Sequence, residues 1–450
     1  MYGASMSRWT MTYFSASIAF LLSGLVSIGS GYGTLSAVDA PDNLAIIHLI
    51  VIGWLGLLFC GALLQFVPVL SATHLRLPWL AAPALLALCL GLGLLTMGFL
   101  ALGGRLPIDA TIMSVGGMLL GIGFLCIMAM LATTIVAQRA FGISGFLVLV
   151  GLCALGVTIV LGNMFASLLA GVLDIPLLAT HLAELAPYHA GLGILGWMTV
   201  TAIGVSYRLF AMFMLAPERT GARNPIAIAV PCALAALFSA IGLRFLDAAW
   251  AQTVTIVAVI LLALIVGLYG QDVWRMFKAR RRKTLELNSW TGLAALGFLA
   301  LAAMLLVGAV SFSTNMALAT AAFYLLIMGW LTGLGLGQLY KIIPFLTWLE
   351  TYGPVMGRRE VPRVQDLVDE RHARPWFGTF YVSVLVGAAA ILFGSDPLFR
   401  AATWIQCAAV AALALEYLRA RRLSYAPLHV RLPPGAVRPH TICVTTQTKE

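Results

Sequence analysis

Charge is what this 450-residue sequence has least of: Asp, Glu, Lys and Arg make up 10% of it, while 61% is hydrophobic. Soluble domains carry about 25% charged and about 45–50% apolar residues. So little charge over so long a chain excludes soluble enzymes, nucleic-acid-binding domains and disordered proteins. Lipid is the solvent for most of it. Cysteine offers no framework: Cys60, Cys89, Cys126, Cys153, Cys232, Cys407 and Cys443 form no C-x-x-C or other metal-ligand spacing. Six of them fall in apolar stretches, where a lone Cys serves as a small apolar filler. No Asp or Glu stands in the middle of an apolar run, which weighs against a proton-coupled carrier, because buried acids commonly mark such pathways. Positive charge is in surplus, 27 Lys and Arg against 17 Asp and Glu, for a net +10. It does not gather on any soluble domain, so it is no nucleic-acid footprint. It bears instead on membrane orientation.

A bilayer-crossing helix needs about 20 mostly apolar residues. Twelve runs qualify: 12–34, 44–70, 78–103, 110–136, 143–173, 187–214, 224–245, 250–273, 289–312, 317–345, 376–394 and 399–418. The first is too long for a removable leader and has no clean cleavage site after it. With the N-terminus in the cytoplasm, only Arg105, Arg244 and Arg400 fall outside. Every other Lys and Arg falls inside, Arg139, Arg219, Arg223 and Lys449 among them. That asymmetry predicts an all-α integral membrane protein of the bacterial inner-membrane type, both termini cytoplasmic. The spans form one transmembrane domain, 1–422, followed by a Pro-rich, flexible tail, 423–450. Arg280-Arg281-Arg282-Lys283 and the connection 346–375 read as membrane-surface charge.

A repeat runs through spans two, six and ten. Gly53-Trp54, Gly196-Trp197 and Gly329-Trp330 are each followed, eight residues after the first glycine, by Gly61, Gly204 and Gly337. Four residues further stand Gln65, Arg208 and Lys341. Pro68 then matches Pro344, and Tyr207 matches Tyr340. Small residues let membrane helices approach closely, which explains single Gly-Trp pairs. Three in one register, four spans apart, predict twelve helices in three pseudo-symmetric four-helix units.

With this repeat the chain resembles subunit I of the haem–copper oxidase superfamily, whose twelve helices form three arcs with key ligands on helices two, six and ten. The nitric oxide reductase branch is the most similar. Its second helix begins with His, continues through Trp and Gly and closes on an aromatic-rich turn and Pro. The matching residues here are His48, Gly53-Trp54, Gly61, Gln65-Phe66 and Pro68. The resemblance implies that His48 is an axial haem ligand. It also implies a role in respiratory redox or nitric oxide handling, with a cytochrome c or another respiratory subunit as partner beside the lipid bilayer.

The chain departs from that pattern. The family's His-x-His pair on helix ten falls on Ala322 and Tyr324, and span seven has no His where the family binds copper. His189 lies on span six but precedes Gly196 by seven residues, whereas His48 precedes Gly53 by five. Two residues are about 200° of helix. A copper centre needs about three nitrogen ligands, so the usual binuclear centre is not expected. Three readings stay open. One is a haem on His48 with Tyr324, His189 or Met as partner. Another is a copper or small-ligand site using His48 or His189 with Met212 and Met214. The third is a catalytically empty relative that works as a transporter of a small neutral or metal solute, a sensor or a non-catalytic subunit. His48 has a plainer role open to it as well, a hydrogen bond to a backbone carbonyl or to Asp39 or Asp42. Gln65, Arg208 and Lys341 either snorkel to headgroups or grip one anionic group together.

Overall fold

The computed structural model describes residues 7–35, 37–138, 142–217, 225–311 and 316–444. Arg139, Arg219, Arg223 and Lys449, part of the charge asymmetry, lie outside the described residues. Among the described residues, twelve helices are long and apolar enough to cross a membrane: α1 Thr10–Gly29, α2 Pro41–Leu70, α3 Pro78–Leu102, α4 Ile112–Val136, α5 Ile143–Leu169, α6 Pro176–Met214, α7 Ile226–Arg244, α8 Ala248–Lys278, α9 Leu287–Ser311, α10 Met316–Val355, α11 Glu370–Phe393 and α12 Asp396–Arg421. No strand occurs among the described residues. Two helices outrun their apolar cores. Pro176 starts α6 eleven residues before the apolar run does, and α10 continues ten residues beyond it. Pro at the first helical position costs no hydrogen bond, and hydropathy alone does not register the polar turn that follows it. His181, which precedes the apolar run, therefore lies within α6.

Helices α2, α6 and α10 form the centre. In their most apolar stretches 61%, 83% and 61% of residues are buried, against 22–50% in the other nine. Each touches the helix before it and the two after it, and α10 also touches α2 and α6. Around them α4 packs on α5 and α8 on α9, and α12 returns to α1 to close the ring.

Each central helix contains one eight-residue π-helical stretch: Leu49–Gly56, Leu192–Thr199 and Leu325–Thr332. The Gly-Trp pair occupies the fifth and sixth places of all three. Such π stretches are rare and concentrate at functional sites. The glycines have a steric reason. A methyl group on Gly53 would come 2.7 Å from the Phe20 side chain of α1, and one on Gly196 2.9 Å from Ala154 of α5. Gly329 is pressed in the same way against Phe298 of α9. About two turns further, Gly61 meets Tyr13 at 2.7 Å, Gly204 meets Leu147 at 2.8 Å, and Gly337 meets Thr291. Tyr13, Leu147 and Thr291 stand seven residues before Phe20, Ala154 and Phe298 respectively, so the same register holds on all three partner helices.

The helix ends where Gln65, Arg208 and Lys341 stand form a basic end. There the segment after α12 is tied to the bundle. Arg421 Nε donates to the His440 carbonyl at 2.6 Å and its Nη2 to the Cys443 carbonyl at 2.9 Å. Val444 N donates to the Arg8 carbonyl at 3.0 Å, and Tyr352 Oη to the Arg431 carbonyl at 2.8 Å.

Candidate functional site

His48 ends the first, α-helical part of α2, and the π stretch begins at the next residue. Its Nδ1 is 2.7 Å from the Leu44 carbonyl, one turn back. A carbonyl oxygen only accepts, so Nδ1 carries the proton and Nε2 keeps its lone pair. The plainer role therefore leaves the ligand role open: the backbone bond fixes ring and tautomer, as a carbonyl does for many metal-bound imidazoles. The ring lies 5.1 Å from that of Phe99 on α3 and is only partly covered.

His189 projects from α6 against α5. Its ring contacts Phe165 edge-on at 5.7 Å, and a methyl group on Gly162 would touch it at 3.0 Å. Its Nδ1 is buried without a hydrogen-bond partner. An unpaired buried polar atom costs free energy, so this nitrogen is a candidate donor or acceptor within the bundle. His48 thus packs against α3 and His189 against α5, each on a different neighbour of the central helices.

Tyr324 is placed differently. It is the register equivalent of His48 in α10, directly before the third π stretch. Its hydroxyl accepts from Gln406 Nε2 of α12 at 2.6 Å and lies against Gly387 of α11. It faces its own following helices and its oxygen is engaged. Met212 and Met214 stand at the basic end of α6, more than 20 residues after His189, or about 35 Å along a helix. A soft-metal site joining them to either histidine is therefore excluded by helix length.

The three long polar side chains of the repeat do not converge. Gln65 Oε1 accepts from Ser7 N at 3.3 Å, Lys341 pairs with Glu286 at 2.5 Å, and Arg208 is exposed. They share a register without sharing a ligand.

Among the described residues, no group of three or more His, Cys, Asp or Glu side chains comes together as a metal site. A copper centre with three nitrogen donors is thus not assembled from them.

Polar residues near helix ends carry more structure than their positions suggest. Asp272, Glu350, Glu416 and Arg421 are buried. Asp272 accepts from the Tyr207 hydroxyl at 2.9 Å, and Glu350 lies 2.5 Å from Arg421. Hydropathy assigns such residues to the membrane surface, and only packing shows that neighbouring helices cover them.

The fold defines a multi-pass membrane protein. Compared with known families and with characterised proteins, the chain matches no family profile and no individual protein.

Proposed function

We propose that this multi-pass membrane protein is a divergent relative of haem–copper oxidase subunit I that binds a haem through His48 and works in respiratory redox or nitric oxide handling. The observation that carries the reading is the His48 imidazole. Its Nδ1 is held by the Leu44 carbonyl and its Nε2 is left as a lone pair, while His189, on the next helix of the repeat, has a buried Nδ1 without a hydrogen-bond partner. An intramembrane ionisable residue is a functional candidate by default, and here two of the three central helices carry one, His48 on α2 and His189 on α6. A haem bound there supplies one-electron redox chemistry and affinity for small diatomic ligands. The chain's own part is to hold the imidazole in one tautomer, to place His189 as the second nitrogen, and to exclude water with Phe99 and Phe165.

Three four-helix units, α1–α4, α5–α8 and α9–α12, belong to the same reading. The three π stretches and the matched glycine contacts on α1, α5 and α9 support them. The basic residues put the Lys341 end on the cytoplasmic side of a bacterial-type inner membrane, with both termini inside. A cytochrome c or another respiratory subunit is the electron partner such a protein requires.

The test is the haem content of the purified full-length protein, measured as pyridine haemochrome. About one haem per chain, lost in His48→Ala, is the expected result. Haem-free protein from a haem-supplemented host, active in solute uptake by proteoliposomes, overturns the reading in favour of a carrier.

A further inference from the structure

At the basic end, a cavity of about 110 Å³ lies between the start of α9, the foot of α10 and the connection 356–369. Its walls include Glu286, Asn288, Tyr340, Lys341, Gln365 and Glu370. The charged groups already have partners. Glu286 binds Lys341, Arg282 and Gln365, and Glu370 Oε1 accepts from Leu287 N at 3.0 Å. The neutral groups do not. Both amide atoms of Asn288 and the Tyr340 hydroxyl are buried without a hydrogen-bond partner, and these residues are only 2% and 4% exposed.

These groups suit a neutral occupant that donates and accepts at once. An amide needs both, and a phenol takes either. Apolar solutes leave these groups unsatisfied, and a free ion meets no unpaired opposite charge. A single water needs about 10–15 Å³ of such space and two or more polar partners, so the cavity has room for several. We propose that this is an internal water-binding site, in which a small cluster of ordered waters satisfies Asn288 and Tyr340. The connection 356–369 forms its lid, fastened through Gln365 to Glu286 at 2.8 Å. Water is thereby brought beside Tyr340, within the tenth helix and one residue from Lys341. The site lies at the opposite end of the bundle from His48 and does not depend on haem being bound.

Hydroxyl-radical footprinting of the full-length protein in nanodiscs tests this, because radicals formed from bound water label the side chains beside it. Tyr340 is expected to be labelled within about threefold of the exposed Tyr32 although it is buried, as a side chain contacting held water should be. Tyr13 and Tyr269, buried with their hydroxyls bonded to the Ala81 carbonyl and to Ser206, are the dry controls. Asn288→Leu fills the space with apolar surface and should drop Tyr340 to the control rate while Tyr32 is unchanged. Labelling of wild-type Tyr340 no faster than Tyr13 and Tyr269 overturns the proposal, and that comparison needs no variant to fold. Full labelling of Tyr340 in a folded Asn288→Leu protein overturns the assignment to this cavity.

Discussion

The Trp54 indole donates to the Thr332 hydroxyl at 2.9 Å, joining α2 to α10 inside the bundle. Both residues belong to the repeat, Trp54 sixth and Thr332 last in their π stretches. A buried hydrogen bond of this kind contributes about 1 kcal/mol, and an orphaned donor costs about 1–3 kcal/mol. Thr332→Val is therefore expected to lower stability by about that penalty. Trp54→Phe combined with Thr332→Val should cost less than the two separate losses added together. Calorimetric unfolding in detergent reads the cycle, and strict additivity would show that the bond contributes nothing.

The same register puts Thr199 and Gly56 where α10 has Thr332. Trp197 Nε1 has no hydrogen-bond partner, and its matching acceptor position is the glycine. A methyl group on Gly56 would meet the Phe124 ring at 3.5 Å, ordinary contact, whereas one on Gly53 would be 2.7 Å from Phe20. Gly56→Ser is accordingly expected to hold or raise Tm, and Gly53→Ala to lower it through the overpacking cost of about 1–3 kcal/mol. Equal losses from both would contradict the steric difference.

Arg421 is buried and holds four partners: Glu350 at 2.5 Å, the Thr347 hydroxyl at 3.2 Å, and the His440 and Cys443 carbonyls. Removing one partner of a buried ion pair costs about 3–5 kcal/mol because the other charge stays behind. Arg421→Gln should destabilise the bundle and expose 431–444 to protease in otherwise folded protein. Unchanged cleavage in that segment would show that other contacts hold it.

Glu286 titrates below the ordinary glutamate range. Burial alone would raise it, but hydrogen bonds from Lys341 and Gln365, with the charges of Lys341 and Arg282, outweigh the effect of burial. A carboxyl depressed on folding stabilises above its unfolded pKa, about 4.3 for glutamate, and loses that stabilisation as pH falls through its folded value. Glu286→Gln should therefore be less stable than wild type at pH 7, with the gap closing below about pH 4. A gap that widens on acidification would reverse the sign of the coupling.

Twelve spans were legible in the sequence because crossing a bilayer requires an unbroken apolar run, and composition records that directly. The central position of α2, α6 and α10 was legible for a different reason: close helix approach demands glycine, and three Gly-Trp pairs in one register mark it. The π stretches left no such sign, since they change hydrogen-bond spacing without changing composition. For the candidate site, the sequence supplied His48 and His189 but set them about 200° apart by counting along a helix. They project from different helices, toward α3 and α5 respectively, so that count does not by itself fix where either ring lies. The engagement of Tyr324 by Gln406, and the pairing of Glu350 with Arg421, depend on helices 82 and 71 residues away in the chain. No local pattern encodes them.

The optical spectrum of the purified protein and of its single-site variants tests the central claim most directly. A Soret band at stoichiometric intensity in wild type, abolished in His48→Ala, shifted in His189→Ala and unchanged in Tyr324→Phe, is the expected result. Absence of the band from folded wild-type protein after haem supplementation, or its survival unaltered in His48→Ala, contradicts the account.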